Sequence, residues 1–338
     1  MTLATFWFIV IAFLWVGYLF LEGFDLGVGM LMKLFARSER DRRVLLNTIG
    51  PVWDGNEVWL ITAGAMTFAA FPMWYASLFS ALYIPLTLVL LGLIFRAVSI
   101  EYRGKHDSDS WRNRWDWAMA LGSFVSAFGV GAALALTSTG LPLNENGDRV
   151  GGAFAWLTPW AVLGGLAVVG FALVHACAFL TLKTDGEIRA RARRALVRWL
   201  PVGILPLAAW AVGVQFLSGD LMSLIPLAVA VVAVAVAWLM ASRGKEALAF
   251  GSLAVFLLFG AVSIFAAMYP VVLPSTLDAA WNLTVENASS GPYTLKVITW
   301  VSVFGLPIVL LYQGWTYWVF RKRISADSIP PVHRITAQ

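Results

Sequence analysis

Nine long apolar runs dominate this chain and leave few folds open to it. A helix needs about 20 mostly apolar residues to cross the hydrocarbon core of a bilayer. The nine runs that satisfy this length are residues 6–32, 50–71, 75–96, 118–138, 158–182, 199–217, 223–241, 248–271 and 293–320. With 60% hydrophobic and 13% charged residues, a soluble domain would lack the polar surface to cover such a chain. The sequence therefore predicts an all-α polytopic membrane protein with nine transmembrane helices, in which residues 1–338 form a single integral membrane domain.

The basic residues predict the orientation of the nine spans. Of the 24 Lys and Arg residues, 22 follow an odd-numbered span, and only Arg149 and Lys296 fall on the other side. Cytoplasmic loops carry the excess of Lys and Arg, so the amino terminus is predicted outside and the carboxyl terminus in the cytoplasm. The net charge of +5 has the same origin, which argues against nucleic acid as a partner. The 22 cations are Lys33, Arg37, Arg40, Arg42, Arg43, Arg96, Arg103, Lys105, Arg112, Arg114, Lys183, Arg189, Arg191, Arg193, Arg194, Arg198, Arg243, Lys245, Arg321, Lys322, Arg323 and Arg334.

Metal and haem ligands are scarce in the sequence. Cys177 is the one cysteine, which excludes an internal disulfide and a cysteine cluster and indicates a small buried side chain. Of the three histidines, His106 lies in a loop, His333 in the tail and His175 inside a span. One intramembrane histidine cannot provide bis-histidine haem ligation, while ligation by His with Met or Glu stays open. We therefore predict that this chain binds no metal and holds no haem directly.

Four carboxylates lie inside the first two predicted spans, where they are least expected. They are Glu22, Asp25, Asp54 and Glu57. Each pair is spaced i, i+3 and shares one helix face, and each ionised acid costs at least ~2.5–3.5 kcal/mol at mid-membrane. Asp25 lies about 12 Å of helix rise from the cytoplasmic edge, and because the two helices run in opposite directions, both pairs lie at a similar depth. We predict an acid cluster that conducts protons or binds an ion from the cytoplasmic side.

Neighbouring residues leave a structural alternative open for this cluster. The acids could instead bond to backbone donors, to Asn47 or Asn56, or to Arg96, the nearest cation able to balance them. Arg96 could also extend to the headgroups without meeting the acids. The indoles of Trp53 and Trp59 flank the second acid pair and could bond the acids, line a route for a small molecule, or only pack.

Gly23-Phe-Asp-Leu-Gly27 places two glycines one helical turn apart in the first span. Small residues at this spacing allow a second transmembrane helix to approach closely. We predict that Gly23 and Gly27 form a helix-packing site.

Several of these segments together resemble subunit II of the cytochrome bd-type quinol oxidases. The resemblance covers essentially the whole chain, and the second motif is long and unusual. The motifs are Glu22-Gly-Phe-Asp-Leu-Gly-Val-Gly29, Gly50-Pro-Val-Trp-Asp-Gly-Asn-Glu-Val-Trp-Leu-Ile61, Phe95-Arg96, Glu101-Tyr-Arg103 and Arg112-Asn-Arg-Trp-Asp-Trp117.

The resemblance implies a partner, subunit I, that carries two b-type haems, one d-type haem and the quinol site. The complex would sit in the bacterial cytoplasmic membrane, oxidise quinol and reduce oxygen to water with protons from the cytoplasm. Subunit II would be a haem-free scaffold that borders on the partner, lipid and quinone. A structurally bound quinone and small accessory subunits are compatible with the family.

The resemblance also implies roles for single residues. Asp54 would contribute first to the proton path, supported by Asp25, Glu57 and Arg96, and Trp59 would border the oxygen route. Glu22 departs from the family pattern, in which an Asp is common at this position, so its role carries over less directly.

Two other functions compete with this interpretation. Intramembrane acids also serve proton-coupled transporters, which often have inverted repeats and broken helices that meet at the midplane. Here the acids concentrate in the first two spans, which favours a half-site that a partner completes. A purely structural membrane subunit, whose acids only anchor helices, is the second alternative.

Overall fold

The structure, a computed structural model, describes residues 1–325, 327 and 329; His333 and Arg334 lie outside them. Within this part the fold is all-helical apart from a small antiparallel pair, β1 (Val271–Leu273) and β2 (Leu283–Thr284). The helices are α1 (Leu3–Leu34), α2 (Glu39–Ile49), α3 (Trp53–Ala70), α4 (Pro72–Ala81), α5 (Tyr83–Tyr102), α6 (Asp109–Thr139), α7 (Pro159–Lys183), α8 (Gly186–Gly203), α9 (Leu205–Ser218), α10 (Leu221–Ser242), α11 (Glu246–Met268) and α12 (Pro292–Val319). A 3₁₀ turn, Ala279–Trp281, precedes β2.

Eight helical segments in the described part of the chain are long and apolar enough to cross a membrane, with α8 and α9 counted together. The sequence predicted nine spans, and the one that does not qualify by composition is 50–71. It corresponds to α3, which is 18 residues long and opens with Trp53-Asp-Gly-Asn-Glu57. The polar residues in this first turn lower the hydropathy of the whole helix.

Two of the predicted spans are each divided into two helices in the structure, next to a proline. The predicted third span, 75–96, is divided at Leu82, so that α5 alone forms the long apolar helix. The predicted sixth span, 199–217, is divided at Ile204 between α8 and α9. Pro85 and Pro206 lie in the first turn of α5 and of α9, where the missing backbone N–H removes no hydrogen bond within the new helix.

Three segments expected to be loops are helical instead. Residues between the first two spans form α2, α6 begins at Asp109 rather than at residue 118, and α8 begins at Gly186 rather than at residue 199. Ser38 and Ser108 cap two of these helices, since each hydroxyl accepts a hydrogen bond from the backbone N–H three residues on. A search for apolar runs alone misses helices that bury only one face.

Ion pairs join the basic segments at one end of the bundle. Arg103, just after α5, donates to both carboxylate oxygens of Glu39 at 2.8 and 2.6 Å and to Asp116 Oδ1 at 2.6 Å. Partial burial opposes protonation, but these two carboxylates raise the pKa of Arg103 above its usual value. Arg191 on α8 lies 2.6 Å from Asp41 Oδ2 on α2. The segments after α1, α5 and α7 therefore meet.

Two further basic segments reach the same end through Glu246. This carboxylate, in the first turn of α11, lies 2.9 Å from Arg189 Nη2 and 3.3 Å from Arg323 Nη2. Arg323 also donates to the carbonyls of Thr181 and Thr184 at the end of α7. We call this end of the bundle, with the segments after α1, α5, α7, α10 and α12, the cation-rich end.

Backbone hydrogen bonds define the opposite end. Leu141, after α6, donates to the carbonyl of Pro274, which precedes α12. Ser290 donates through its backbone N–H to the carbonyl of Ala70 at 2.8 Å and through its hydroxyl to the carbonyl of Ala69 at 2.7 Å. The carboxyl end of α3 therefore lies beside the loops after α6 and α11.

Helix α1 forms the centre of the structure. It packs against α3, α6, α7, α11 and α12, and its carboxyl half is buried without interruption from Glu22 to Met32. The closest approach is at Gly27, where a Cβ atom would lie 2.0 Å from the carbonyl oxygen of Ala172 on α7. At Gly23 the nearest atom to such a Cβ would be 3.5 Å away, in the ring of Phe171. Backbone contact between α1 and α7 therefore depends on Gly27.

Candidate functional site

One buried guanidinium links carboxylates from two other helices. Arg96 Nη1 on α5 lies 2.8 Å from Glu22 Oε1 on α1 and 3.0 Å from Glu57 Oε2 on α3. Arg96 and Glu22 have no exposed surface, whereas 21% of the Glu57 side chain is exposed. Charges buried this deeply persist only when they are paired, so the three side chains fix α1, α3 and α5 relative to one another.

Asp25 joins this cluster to the last helix through an amide. Asn56 donates from Nδ2 to Asp25 Oδ2 at 2.7 Å, and both side chains are buried. The Oδ1 atom of Asn56 accepts hydrogen bonds from Gln313 Nε2 and Tyr317 Oη of α12, each at 2.8 Å. Asn47, the other amide considered from sequence, is exposed at the end of α2.

Several buried polar atoms of the cluster have no hydrogen-bond partner in the described part of the chain. They are Arg96 Nε and Nη2, both carboxylate oxygens of Glu22, Asp25 Oδ1 and Tyr18 Oη. Glu22 Oε1 contacts Arg96 as an ion pair without hydrogen-bond geometry. Buried polar atoms almost always have a hydrogen-bond partner. A cluster with this many unbonded donors and acceptors is typical of sites in which internal water molecules bridge the side chains.

Asp54 lies apart from this cluster. It occupies the first turn of α3, is exposed, and makes no side-chain hydrogen bond or ion pair with any residue that the structure describes. Glu57 follows one turn later on the same helix. Val58, Ile61 and Phe68 are also exposed, so Asp54 opens an uncovered stripe along α3. The structure thus brings together Glu22, Asp25 and Glu57 and places Asp54 on the surface.

The two tryptophans of the motif do not bond the acids. Neither Trp53 nor Trp59 donates its indole N–H to a carboxylate within the described residues. Trp59 is buried against Gly17 and Phe13 and lines a cavity of about 220 Å³ between α1, α3 and α12. Glu57 lines a different cavity, of about 620 Å³, whose other walls are mostly apolar residues of α1, α3, α4, α5 and α6. Trp59 and Glu57 therefore face different spaces.

The intramembrane histidine is held by aromatic rings. His175 Nε2 lies 2.9 Å from the carbonyl oxygen of Phe20, and the imidazole stacks between Phe171 and Phe250 with centroid distances of 5.0 and 4.9 Å. Cys177, two residues farther along α7, is buried and free. Across the residues described, no group of three His, Cys, Asp or Glu side chains is arranged to hold a metal ion.

The sequence analysis did not identify Gln313 and Tyr317 as members of the site. Both lie in α12, more than 200 residues from Asn56 in the chain. A signal was present, because Gln313 is an amide inside a long apolar run and Tyr317 shares its helix face at i+4. Polar side chains within spans usually bond to other helices.

Comparison with known proteins assigns the chain to a family. A family model described as "Cytochrome bd terminal oxidase subunit II" matches residues 3–320. The chain belongs to this family. Its Glu22–Arg96–Glu57 cluster and the exposed Asp54 are therefore features of a bd oxidase subunit II.

Individual relatives agree with this assignment. This subunit II chain is similar to cytochrome bd ubiquinol oxidase subunit 2 of Bacillus subtilis (strain 168), with 39% identity over 94% of this chain and 96% of the relative. It is 35% identical to cytochrome bd-I ubiquinol oxidase subunit 2 of Escherichia coli (strain K12), over 96% of this chain and 95% of the relative.

The fold of this subunit II chain also matches a solved structure. A chain of the bd oxidase from Geobacillus thermodenitrificans aligns with a TM-score of 0.78 and 19% sequence identity, over 95% of this chain and 100% of that chain. At this identity the match concerns the fold alone. The helical architecture is therefore shared with a bd oxidase chain.

Proposed function

We propose that this chain is the haem-free second subunit of a quinol:oxygen oxidoreductase of the bd type. It scaffolds the haem-bearing subunit I and contributes to the path that brings protons from the cytoplasm during the reduction of oxygen to water. The observation that carries the proton-path role is the buried Glu22–Arg96–Glu57 cluster, together with Asp25 on Asn56. The relatives supply the oxidase context, since they are named as subunits of ubiquinol oxidases.

The proposal includes nine spans in a single integral membrane domain of a bacterial cytoplasmic membrane. Support for a ninth span comes from α3, which begins after α2 at the cation-rich end and finishes beside Ser290 at the opposite end. A helix of 18 residues rises about 27 Å, close to the hydrocarbon thickness. By the positive-inside rule, the cation-rich end would face the cytoplasm and the amino terminus would lie outside.

Cysteine labelling in intact cells tests this topology. Cys177 is buried, so its replacement by serine gives a background for single exposed cysteines at Lys105 and at Asn146, which lie at opposite ends. We expect a membrane-impermeant maleimide to label Asn146→Cys in intact cells and Lys105→Cys only after permeabilisation. The reverse pattern would invert the orientation, and labelling of both in intact cells would contradict the span count.

The geometry suggests how the chain's own groups handle protons. Asp54 presents, on the uncovered surface of α3, a carboxylate that pairs with none of the described residues, and subunit I would complete the site there. Glu57 lies one turn farther along the same helix and is only partly exposed. The same nitrogen of Arg96, Nη1, contacts the carboxylates of Glu57 and Glu22. The fully buried Glu22 is therefore positioned close to the partly exposed Glu57. A proton accepted at Asp54 would pass along α3 toward this cluster.

Asp54→Asn is the variant that tests the proton path. We expect the assembled complex to keep its haem content, because Asn has the same shape and the Asp54 side chain makes no hydrogen bond or ion pair within the described chain. Turnover should fall at least about tenfold, since an amide cannot accept and release the proton. The measurement is quinol-dependent oxygen consumption per d-type haem.

Asp148→Asn is the matched control, because Asp148 is an exposed acid at the opposite end of the bundle. Full turnover of Asp54→Asn with normal assembly would remove Asp54 from the proton path. Loss of assembly would instead favour the purely structural alternative. Family membership argues against the transporter alternative, because the chain belongs to an oxidase subunit family.

The cofactor proposals follow from the same assignment. Two b-type haems and one d-type haem would reside in subunit I, and small accessory subunits would complete the complex. Within this chain, the cavity of about 620 Å³ has the apolar lining that an isoprenoid quinone tail requires, with Glu57 as its polar edge. The separate cavity of about 220 Å³ beside Trp59 fits a role for this residue on the oxygen route.

A further inference from the structure

Five exposed cations on α8 and on the turn between α10 and α11 have no ion-pair partner among the described residues. Other cations of the same region are paired: Arg189 bonds to Glu246 and Arg191 to Asp41. The five cations, which we call the α8–α10 cation patch, are Arg193, Arg194, Arg198, Arg243 and Lys245.

The packing of α8 leaves three of its arginines exposed. Helix α8 buries Ile188, Ala192, Leu196 and Leu200, which recur every four residues, whereas Arg193, Arg194 and Arg198 lie on its exposed surface. Its carboxyl half lies beside α10, since Trp238 Nε1 donates to the carbonyl of Val197 at 3.1 Å.

The turn after α10 contacts the patch directly. Arg193 Nη1 lies 2.7 Å from the position that a Cβ would occupy on Gly244, whose φ of +72° also favours glycine. Arg243 and Lys245 flank this glycine. Arg193 of α8 therefore meets the turn, and Arg194 and Arg198 follow on the same helix.

Among the described residues, no carboxylate neutralises this region. Glu246 is nearest in sequence, but it is buried and already paired with Arg189 and Arg323. Asp185 and Glu187 lie within 4.0 Å of Arg189 and 3.7 Å of Arg191, respectively. Five uncompensated positive charges attract an anion from outside the chain.

The surroundings of the patch identify the kind of anion. Trp238 is 43% exposed at the end of α10, and Val231, Val232 and Val236 below it are exposed along the apolar helix. An exposed tryptophan at the end of an apolar helix is typical of the membrane interface. A ligand that meets both surfaces carries phosphate at one end and acyl chains at the other.

We propose that the α8–α10 cation patch binds the headgroup of an anionic phospholipid, whose acyl chains lie along α10. Guanidinium groups match phosphate oxygens in a bidentate geometry, and basic sites between transmembrane helices bind such headgroups. The inference goes beyond the proton path. It rests on the proposed topology in one respect, namely that α10 crosses the membrane. It predicts a lipid site that is distinct from the acid cluster.

The test uses the purified complete oxidase complex and cardiolipin. Binding is measured by native mass spectrometry for the unaltered complex and for a variant with Arg194→Gln and Arg198→Gln. We expect saturable binding that weakens roughly tenfold or more in the variant, since each cation near a headgroup contributes about a fivefold change in affinity. Turnover in detergent should stay unchanged, which separates this result from failure of the proton path.

The matched control removes the same charge elsewhere at the cation-rich end. Lys105→Gln with Arg114→Gln alters two exposed cations that also lack ion-pair partners in the described chain. Cardiolipin affinity of this control should equal that of the unaltered complex, and an equal loss in both variants would overturn the site. Equal binding of phosphatidylcholine, or displacement of cardiolipin by an equimolar amount of inorganic phosphate, would overturn the assignment to an anionic lipid.

Discussion

Arg96→Met is expected to abolish assembly of the oxidase complex. The substitution preserves much of the side-chain length but leaves Glu22 and Glu57 without their shared cation, and Glu22 has no exposed surface. Removal of one partner from a buried ion pair costs about 3–5 kcal/mol, because the other charge stays buried without compensation. The measurement is the yield of haem-containing complex after gentle purification of membranes that express the variant.

Two further variants separate charge balance from packing. Arg96→Met combined with Glu22→Gln removes one buried charge of each sign and should recover part of the yield, as expected for directly coupled residues. Arg114→Met removes an exposed arginine and should leave the yield unchanged. A normal yield of Arg96→Met alone would show that the cluster does not hold α1, α3 and α5 together.

Gly27→Ala is expected to destabilise the subunit although it adds a single methyl group. The new Cβ would lie 2.0 Å from the carbonyl oxygen of Ala172 and 2.5 Å from the Cβ of Ala176, so α1 and α7 must move apart. Overpacking in a close-packed interior costs about 1–3 kcal/mol, and a clash with a backbone carbonyl belongs at the upper end of that range. Thermal unfolding of the purified complex measures the effect.

Gly23→Ala is the control on the same helix, one turn away. Its Cβ would meet the ring of Phe171 at 3.5 Å, an ordinary contact, and alanine also favours the helix. The melting temperature of this variant should equal or exceed that of the unaltered complex. Similar losses at both positions would mean that the α1–α7 contact is not set by Gly27.

The acid cluster shows which features of the site helix periodicity can predict and which it cannot. The i, i+3 spacing correctly puts Asp54 and Glu57 near one another on α3, but it cannot tell which part of that face a neighbour covers. In the structure Glu57 meets Arg96, whereas Asp54 lies in the uncovered first turn. Gln313 and Tyr317 join the site only because α12 packs against α3 and α1. Contacts between residues so distant in the chain depend on tertiary packing.

The amino-acid sequence was sufficient to predict the helical class, the membrane setting, the unusual placement of the acids and the family resemblance. These features follow from the length of the apolar runs and from side-chain chemistry, both of which are local. Three features depend on tertiary structure: one guanidinium contacts both Glu22 and Glu57, Gly27 rather than Gly23 makes the close contact, and Arg193 of α8 lies beside Gly244. Each of these features depends on how closely helices that are far apart in the sequence pack together. The hydrophobic pattern of a helix does not specify its distance from another helix.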